Sequence, residues 1–153
     1  MSHSHPERHT ARSDTRTISI DASPEDLFTF VADPHNLPQW AVGFCRSIRL
    51  DDNDRWIATT PSGEIPISFE CNAEVRTIDY RFAVAPGLEA TAFSRIVPNA
   101  SGCEYAFTQF QAQGMPDEVF EAQVQALVEE LRVLQGVMHA RAACRPQFVR
   151  EHQ

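Results

Sequence analysis

The sequence predicts a single domain of the α+β class, in which a run of antiparallel strands precedes one long C-terminal helix. The length of 153 residues suits one domain. Hydrophobicity from Gly43 to about Gln113 alternates with a period of two and is interrupted by short turn signals. Beyond Gln113, apolar residues recur at spacings of three and four, which indicates a helix over residues 116–143. We expect the domain to span residues 15–145, between a disordered polar tail (1–14) and a C-terminal tail (146–153).

The first elements are a strand and two short helices. Ile18 and Ile20 alternate with polar residues, which predicts a strand over residues 15–21. Ser23 followed by Pro24 is a helix start, because serine caps the free N–H groups and proline fits the first turn. Pro34 ends this helix at Asp33 and begins a second short helix that runs to Trp40.

The central segment is predicted to contain six further strands. Asp, Asn, Pro and Gly clusters mark the turns between them, and connections this short favour antiparallel neighbours. The predicted strands are 44–50, 55–60, 64–71, 76–84, 88–97 and 103–111.

The last helix carries a single narrow apolar stripe. At about 100° per residue, spacings of four and three place the apolar side chains on one face. That face must lie against the sheet. The stripe consists of Phe120, Val124, Leu127, Leu131, Leu134 and Met138.

The composition excludes several classes of function. The formal net charge is -8, and all 13 basic residues are arginine. Nucleic acid and anionic membranes require clustered positive charge, so neither is an expected partner. The absence of lysine excludes Schiff-base chemistry and a P-loop lysine.

We expect no metal and no cofactor. The four cysteines are far apart and form no C-x-x-C motif, so buried reduced thiols are the simplest interpretation. The histidines near the N-terminus lack carboxylates or cysteines that would complete a metal site. No integral membrane segment and no secretory signal is recognisable, which predicts a cytoplasmic protein.

The two ends of the predicted domain resemble a known family. ISIDASPEDLFTFVADPHNLPQW, ending at Trp40, is similar to the opening of the START/polyketide-cyclase superfamily (SRPBCC), which has the helix-grip fold. GMPDEVFEAQVQALVEELRVLQ, ending at Gln135, is similar to its closing helix. The resemblance covers residues 15–141. It implies a curved seven-stranded antiparallel sheet around the long helix, with an apolar cavity between them.

Strand parity, the apolar stripe of the last helix and the position of Trp40 in the second short helix identify candidate ligand contacts. The more apolar side of each strand should face the helix, and the resemblance implies that this side also lines a cavity. Packing of these side chains into a filled core remains the alternative. The candidates are Trp40, Phe44, Ile67, Phe69, Tyr80, Phe82, Ala92, Tyr105, Phe107, Phe120, Val124 and Leu127.

Arg46 is the candidate polar anchor. It lies between Phe44 and Ile48 on the apolar side of the predicted strand, where an arginine needs an anionic or hydrogen-bonding partner. It either binds a ligand anion, or reaches the rim, or follows a bulge that changes the parity. With Tyr80 and Tyr105 it forms a weak catalytic candidate set, because the inward strand positions contain no Asp, Glu or His.

Three functions are compatible with the sequence. The first is binding or transport of an apolar small molecule, such as a lipid, polyketide or isoprenoid. The second is an aromatase/cyclase-like enzyme acting on a polyketide-type substrate through Arg46 and a tyrosine. The third is a protein-interaction module with a filled core. A homodimer through the outer sheet face is also possible, because Phe93, Val97 and Phe110 could form an apolar patch there.

Overall fold

The computed structural model describes residues 9–144. Residues 1–8 of the predicted tail, and the whole predicted tail 146–153, lie outside the described residues. The sheet strands are β1 (Ser13–Ile20), β2 (Ser47–Leu50), β3 (Trp56–Thr60), β4 (Gly63–Asn72), β5 (Thr77–Ala85), β6 (Leu88–Asn99) and β7 (Gly102–Phe110). The helices are α1 (Pro24–Ala32), α2 (Leu37–Trp40) and α3 (Asp117–Cys144), and a 3-10 turn (Pro34–Asn36) precedes α2.

All seven strands form one antiparallel sheet in the order β1-β7-β6-β5-β4-β3-β2. Each neighbour in the central part is the next strand along the chain, and β1 pairs with β7. The predicted helix-grip α+β fold is therefore confirmed. β1 starts two residues before the expected domain boundary, because Ser13 and Asp14 already pair with Phe110 and Gln109.

The short helices begin where the sequence places their caps. The Ser23 hydroxyl accepts a hydrogen bond from the Asp26 backbone N–H at 3.1 Å, and Pro24 is the first helical residue. After Ala32 the Asp33 carboxylate accepts from the His35 backbone N–H at 3.0 Å. This second cap turns the chain into the 3-10 turn and α2.

β2 is shorter than predicted, and this overturns the placement of Arg46. After α2 the chain turns, with the N–H groups of Phe44 and Cys45 both bonded to the Ala41 carbonyl at 3.0 and 2.8 Å. The strand begins only at Ser47. The turn buries Cys45 and leaves Arg46 exposed. The prediction that Arg46 faces inward is wrong, because strand parity does not apply to a turn.

α3 lies along the inner face of the sheet. All six residues of its predicted apolar stripe are buried, and the helix contacts β1 and α2. The free energy gained there is that of apolar surface removed from water. No helix in residues 9–144 is both long enough and apolar enough to cross a membrane.

The outer face of the sheet is polar in its central part. Arg49 pairs with Glu64 at 3.1 Å, and Arg81 pairs with Glu70 and Glu89 at 3.2 and 3.4 Å. These pairs are exposed, so each adds little stability. Apolar side chains at or near strand ends are exposed: Leu50, Cys71, Val84 and Leu88.

Candidate ligand-binding site

A cavity of about 410 Å³ lies between α3 and strands β4 to β7. α2 and the turn after it close one end. Its space arises where β6 presents small side chains beside aromatic ones, since Ala90 pairs with Phe82 and Ala92 pairs with Tyr80. Eight predicted contact residues belong to the cavity wall: Trp40, Phe44, Ile67, Tyr80, Phe82, Ala92, Phe107 and Leu127.

The other predicted contact residues do not line this cavity. Phe69 packs edge-on against the Tyr80 ring at 5.0 Å, and Tyr105 is buried behind Tyr80. Phe120 is fully buried beneath the Arg12 guanidinium, and Val124 is buried one turn further along α3. A ligand contact at these four positions stays a prediction.

The cavity opens at one end. Wall residues with solvent exposure mark the opening: Ser62 in the β3–β4 hairpin, Val84 in β5, Phe110 at the end of β7 and Gln123 in α3. These come from four separate elements that surround the opening.

A second concavity of about 550 Å³ lies at the edge of β4. Arg55, Arg81 and Glu89 contribute to its lining, together with Trp56 and Ser68. It combines charged groups from the outer face with residues of the sheet edge. We assign the ligand site to the inner cavity, because apolar residues surround it on several sides.

The inner face of the sheet carries a directed chain of hydroxyl hydrogen bonds. Ser94 donates to the Ile78 carbonyl at 2.9 Å, and Tyr105 donates to the Ser94 hydroxyl at 2.9 Å. Each hydroxyl has a single proton, so the 2.9 Å bond between the two tyrosines must be donated by Tyr80. The Tyr80 oxygen can then only accept a further hydrogen bond.

Burial keeps both tyrosines protonated. It raises the pKa of Tyr105 to about 12 and raises the pKa of Tyr80 well above its ordinary value. Neither phenol is a general base near neutral pH. The two hydroxyl groups form a buried hydrogen-bonded pair within an otherwise aromatic part of the core.

Glu130 is a buried acid in the cavity wall. One carboxylate oxygen, Oε2, accepts from the backbone N–H groups of Gly43 and Phe44 at 3.2 and 3.1 Å. These bonds attach α3 to the turn after α2. Burial raises the pKa of Glu130 to about 7, although the two N–H groups act in the opposite direction. Near neutral pH the side chain is therefore present in both protonation states.

Two polar N–H groups at the wall residues are buried without a partner in the described residues. They are the Trp40 indole Nε1 and the Gln109 amide Nε2. A buried donor without an acceptor costs free energy, and such groups are uncommon in folded proteins. Both residues line the cavity. Neither nitrogen has appreciable accessible surface, so other parts of these two side chains form the cavity wall.

The cysteines near the site are not activated. Burial and the nearby Glu130 raise the pKa of Cys45 to about 11, and burial raises the pKa of Cys103 to about 11. A thiolate is the reactive form of cysteine, so both thiols are inert at neutral pH. The residues that the structure describes contain no group of three metal-ligating side chains.

Sequence comparison with known families identifies the chain. The profile of the family described as polyketide cyclase / dehydrase and lipid transport matches residues 12–138. The chain belongs to this family. The matched range includes every cavity-wall residue, from Leu37 to Glu130. No curated protein matches the chain.

Solved structures share the fold of this polyketide cyclase and lipid transport family member. XoxI from Bacillus cereus is 19% identical, with a TM-score of 0.68, over 82% of this chain and 94% of that one. A START superfamily protein from Mycobacterium smegmatis is 14% identical, with a TM-score of 0.65, over 84% and 97%. The di-domain ARO/CYC BexL from the BE-7585A biosynthetic pathway is 16% identical, with a TM-score of 0.66, over 82% and 45%. Identities this low show the fold alone.

Glu130 is the site residue that strand parity misses. Strand parity concerns only the strands, whereas this acid lies on α3. The signal was present, because Glu130 is three residues after Leu127 and four before Leu134, on the flank of the apolar stripe. An acid at that spacing faces the interior and needs hydrogen-bond donors, which the turn at Gly43 and Phe44 supplies.

Proposed function

We propose that this protein binds or carries an apolar small molecule, of lipid, polyketide or isoprenoid type, in the cavity between the sheet and α3. The observation that carries the proposal is the cavity itself. Its volume of about 410 Å³ lies within the range of roughly 300–1,000 Å³ usual for small-molecule sites.

The character of the wall supports an apolar ligand. Phe44 and Phe82 meet edge-on at 5.2 Å, and Tyr80 and Phe107 have ring centroids 5.4 Å apart. With Ile67 they form a wide hydrocarbon surface. An apolar molecule that covers this surface removes it from water, which is favourable by about 25 cal/mol per Å². Membership of a family described by polyketide cyclisation and lipid transport agrees with this ligand class.

The carrier function is preferred over its two alternatives. A cyclase that relies on Arg46 would need the guanidinium in the cavity, but Arg46 is exposed in the turn before β2. An interaction module with a filled core would have no cavity of this size. Tyr80 remains the one predicted catalytic candidate in the wall.

Titration with a fluorescent apolar probe tests the proposal. N-phenyl-1-naphthylamine is uncharged and becomes bright in apolar surroundings. We expect saturable binding to the wild-type protein. Ala126→Phe from α3 and Ala90→Phe from β6 place bulk into the cavity from opposite walls. Each is expected to raise the dissociation constant roughly tenfold, a loss of about 1.4 kcal/mol.

Ala122→Phe is the matched control. Ala122 lies one turn before Ala126 on the same helix, but its side chain is exposed. It should bind the probe like the wild type. Absence of saturable binding, or equal affinity in all four proteins, would overturn the proposed function.

A homodimer through the outer sheet face stays part of the proposal. Phe93 and Phe110 are 43% and 39% exposed, and their rings meet edge-on at 5.9 Å. Val97 is half-buried and lies further along β6, opposite Glu104, so it is not part of this aromatic pair. If this patch joins two copies, Phe93→Asp should shift the sedimentation coefficient to that of a monomer, and a monomeric wild-type protein would contradict it.

A further inference from the structure

The polar groups of the cavity wall carry information about the ligand. In the part of the chain that the structure describes, the wall contains no Arg, Lys or His, and Glu130 is its one carboxylate. A bound carboxylate or phosphate would find no cation to neutralise it. Burial of an unpaired anion in apolar surroundings is costly.

Glu130 has one oxygen available. Oε2 holds the N–H groups of Gly43 and Phe44, whereas Oε1 makes no hydrogen bond to the residues described. The side chain lines the cavity and is 7% exposed. When ionised, this oxygen accepts a hydrogen bond and repels a second negative charge. The backbone bonds fix its position, because both come from the turn that closes the end of the cavity.

Tyr80 presents its ring, and not its oxygen, to the cavity. Its proton is committed to Tyr105, since Tyr105 donates to Ser94 and Ser94 donates to the Ile78 carbonyl. The hydroxyl therefore points to Tyr105, which is not part of the cavity wall, and the Tyr80 side chain is only 1% exposed. A ligand group that only accepts hydrogen bonds has no favourable partner at Glu130 Oε1.

The unpartnered N–H groups are not open to the cavity. Trp40 Nε1 and Gln109 Nε2 are buried donors without an acceptor among the described residues, and neither nitrogen has appreciable accessible surface, although other parts of both side chains line the wall. The acceptor at Glu130 therefore decides which polar group of a ligand is favoured. A hydroxyl group can donate a hydrogen bond to it, whereas a carboxylate or a ketone only accepts.

We propose that the cavity selects an uncharged apolar molecule that carries a hydroxyl group, and that Glu130 Oε1 accepts the hydrogen bond from that hydroxyl. This inference rests on the proposed function and narrows its ligand class. The sequence suggests Arg46 as a cation that would bind a ligand anion. The group at the ligand is instead the Glu130 carboxylate, which is negatively charged when ionised.

Competition between two ligands of nearly equal shape tests the inference. 2-Naphthalenemethanol and 2-naphthoate differ at one position, where the first has a hydroxymethyl group and the second a carboxylate. Each is titrated against bound N-phenyl-1-naphthylamine at about pH 8, where Glu130 is mainly ionised. We expect the alcohol to bind roughly tenfold or more tightly than the carboxylate in the wild-type protein.

Glu130→Gln separates the effect of the Glu130 carboxylate from the general cost of removing the ligand's own carboxylate from water. The amide is neutral, keeps an oxygen for the Gly43 and Phe44 N–H groups, and presents a donor instead of an acceptor. We expect the preference for the alcohol to fall by roughly fivefold or more. Glu129→Gln is the matched control, because Glu129 is exposed on the same helix and paired only with Arg132 at the surface. It should keep the wild-type preference.

The outcomes separate the inference from the function on which it rests. If the wild-type protein binds no probe, the proposed function fails and the inference fails with it. If the probe binds but the carboxylate competes as well as the alcohol, the inference alone is overturned. The same holds if the preference is equal in wild type, Glu130→Gln and Glu129→Gln.

Discussion

The hydroxyl oxygens of Tyr80 and Tyr105 are hydrogen-bonded to each other at 2.9 Å, although β6 separates the strands that carry them. Ser94 on that middle strand completes the connection by accepting from Tyr105. Three neighbouring strands are thus joined by side chains as well as by their backbone ladders. The chain of donors ends at the Ile78 carbonyl and starts at the cavity wall.

Removal of the Tyr105 hydroxyl, in the middle of this chain, should destabilise the protein more than removal of the Tyr80 hydroxyl at its start. Tyr105→Phe leaves the Tyr80 O–H without its acceptor and is expected to lower the free energy of unfolding by about 1–3 kcal/mol. Tyr80→Phe leaves no buried donor unpaired and is expected to cost about 1 kcal/mol or less. Urea unfolding measures both. The double variant should lose less than the sum of the two single losses, and a larger loss in Tyr80→Phe would contradict the direction of the chain.

Glu130 should make stability depend on pH. Its pKa is about 7 in the folded protein against an ordinary value of 4.5, so the folded state binds the proton more tightly. The stabilising contribution is fully present below about pH 4.5 and is lost as the pH rises through 7. The loss amounts to about 3 kcal/mol or less, at 1.36 kcal/mol per unit of pKa. Urea unfolding from pH 4.5 to 8 measures it.

Glu130→Gln should flatten this part of the pH profile. Cys45, the titratable group that interacts with Glu130, has a pKa of about 11 and stays neutral throughout the range. Glu129→Gln should keep the wild-type slope, because that residue is exposed. An unchanged slope in Glu130→Gln would show that this carboxyl is not the titrating group.

Two glycine substitutions should have opposite effects. A Cβ at Gly102 would lie 2.7 Å from the Ile20 carbonyl oxygen, where β7 begins beside the end of β1. Gly102→Ala therefore forces the backbone to shift and is expected to lower the free energy of unfolding by about 1–3 kcal/mol. Gly136 lies in α3 with nothing within 4 Å of its added Cβ. Gly136→Ala is expected to raise stability by about 0.5–1 kcal/mol. Thermal unfolding checks both, and equal effects would contradict the close approach at Gly102.

Arg46→Ala should leave both stability and probe binding almost unchanged. The side chain is exposed in the turn before β2, and surface substitutions usually change stability by about 0.5 kcal/mol or less. The dissociation constant of N-phenyl-1-naphthylamine should stay within about twofold of the wild-type value, since the guanidinium is not in the cavity wall. A strong loss of binding would restore Arg46 as the polar anchor.

The elements of the fold are predictable because local signals agree with one another. Ser23 and Pro24 define the start of α1, and the apolar stripe from Phe120 to Met138 defines the buried face of α3. Turn residues separate the strands, and period-two patterning separates their faces. Periodicity does not predict the curvature of the sheet around the helix, which is implied by the family resemblance.

Strand parity does not predict the polar residues of the site, for two physical reasons. Arg46 is exposed because the turn held by the Ala41 carbonyl continues to Cys45, so that Arg46 follows the turn directly and precedes the first residue of β2, which no alternation rule detects. Glu130 was missed because its burial depends on backbone donors that come from a segment 86 and 87 residues away in the chain. Long-range partners of this kind determine which polar residues a core tolerates.

A crystal structure of the protein grown with 2-naphthalenemethanol tests the central claim most directly. We expect continuous density for the naphthalene rings in the cavity, between Phe82 and Leu127. The hydroxyl oxygen should lie within hydrogen-bonding distance of Glu130 Oε1. A cavity that holds only water, or a naphthalene bound elsewhere on the surface, would contradict the claim that this space is the ligand site.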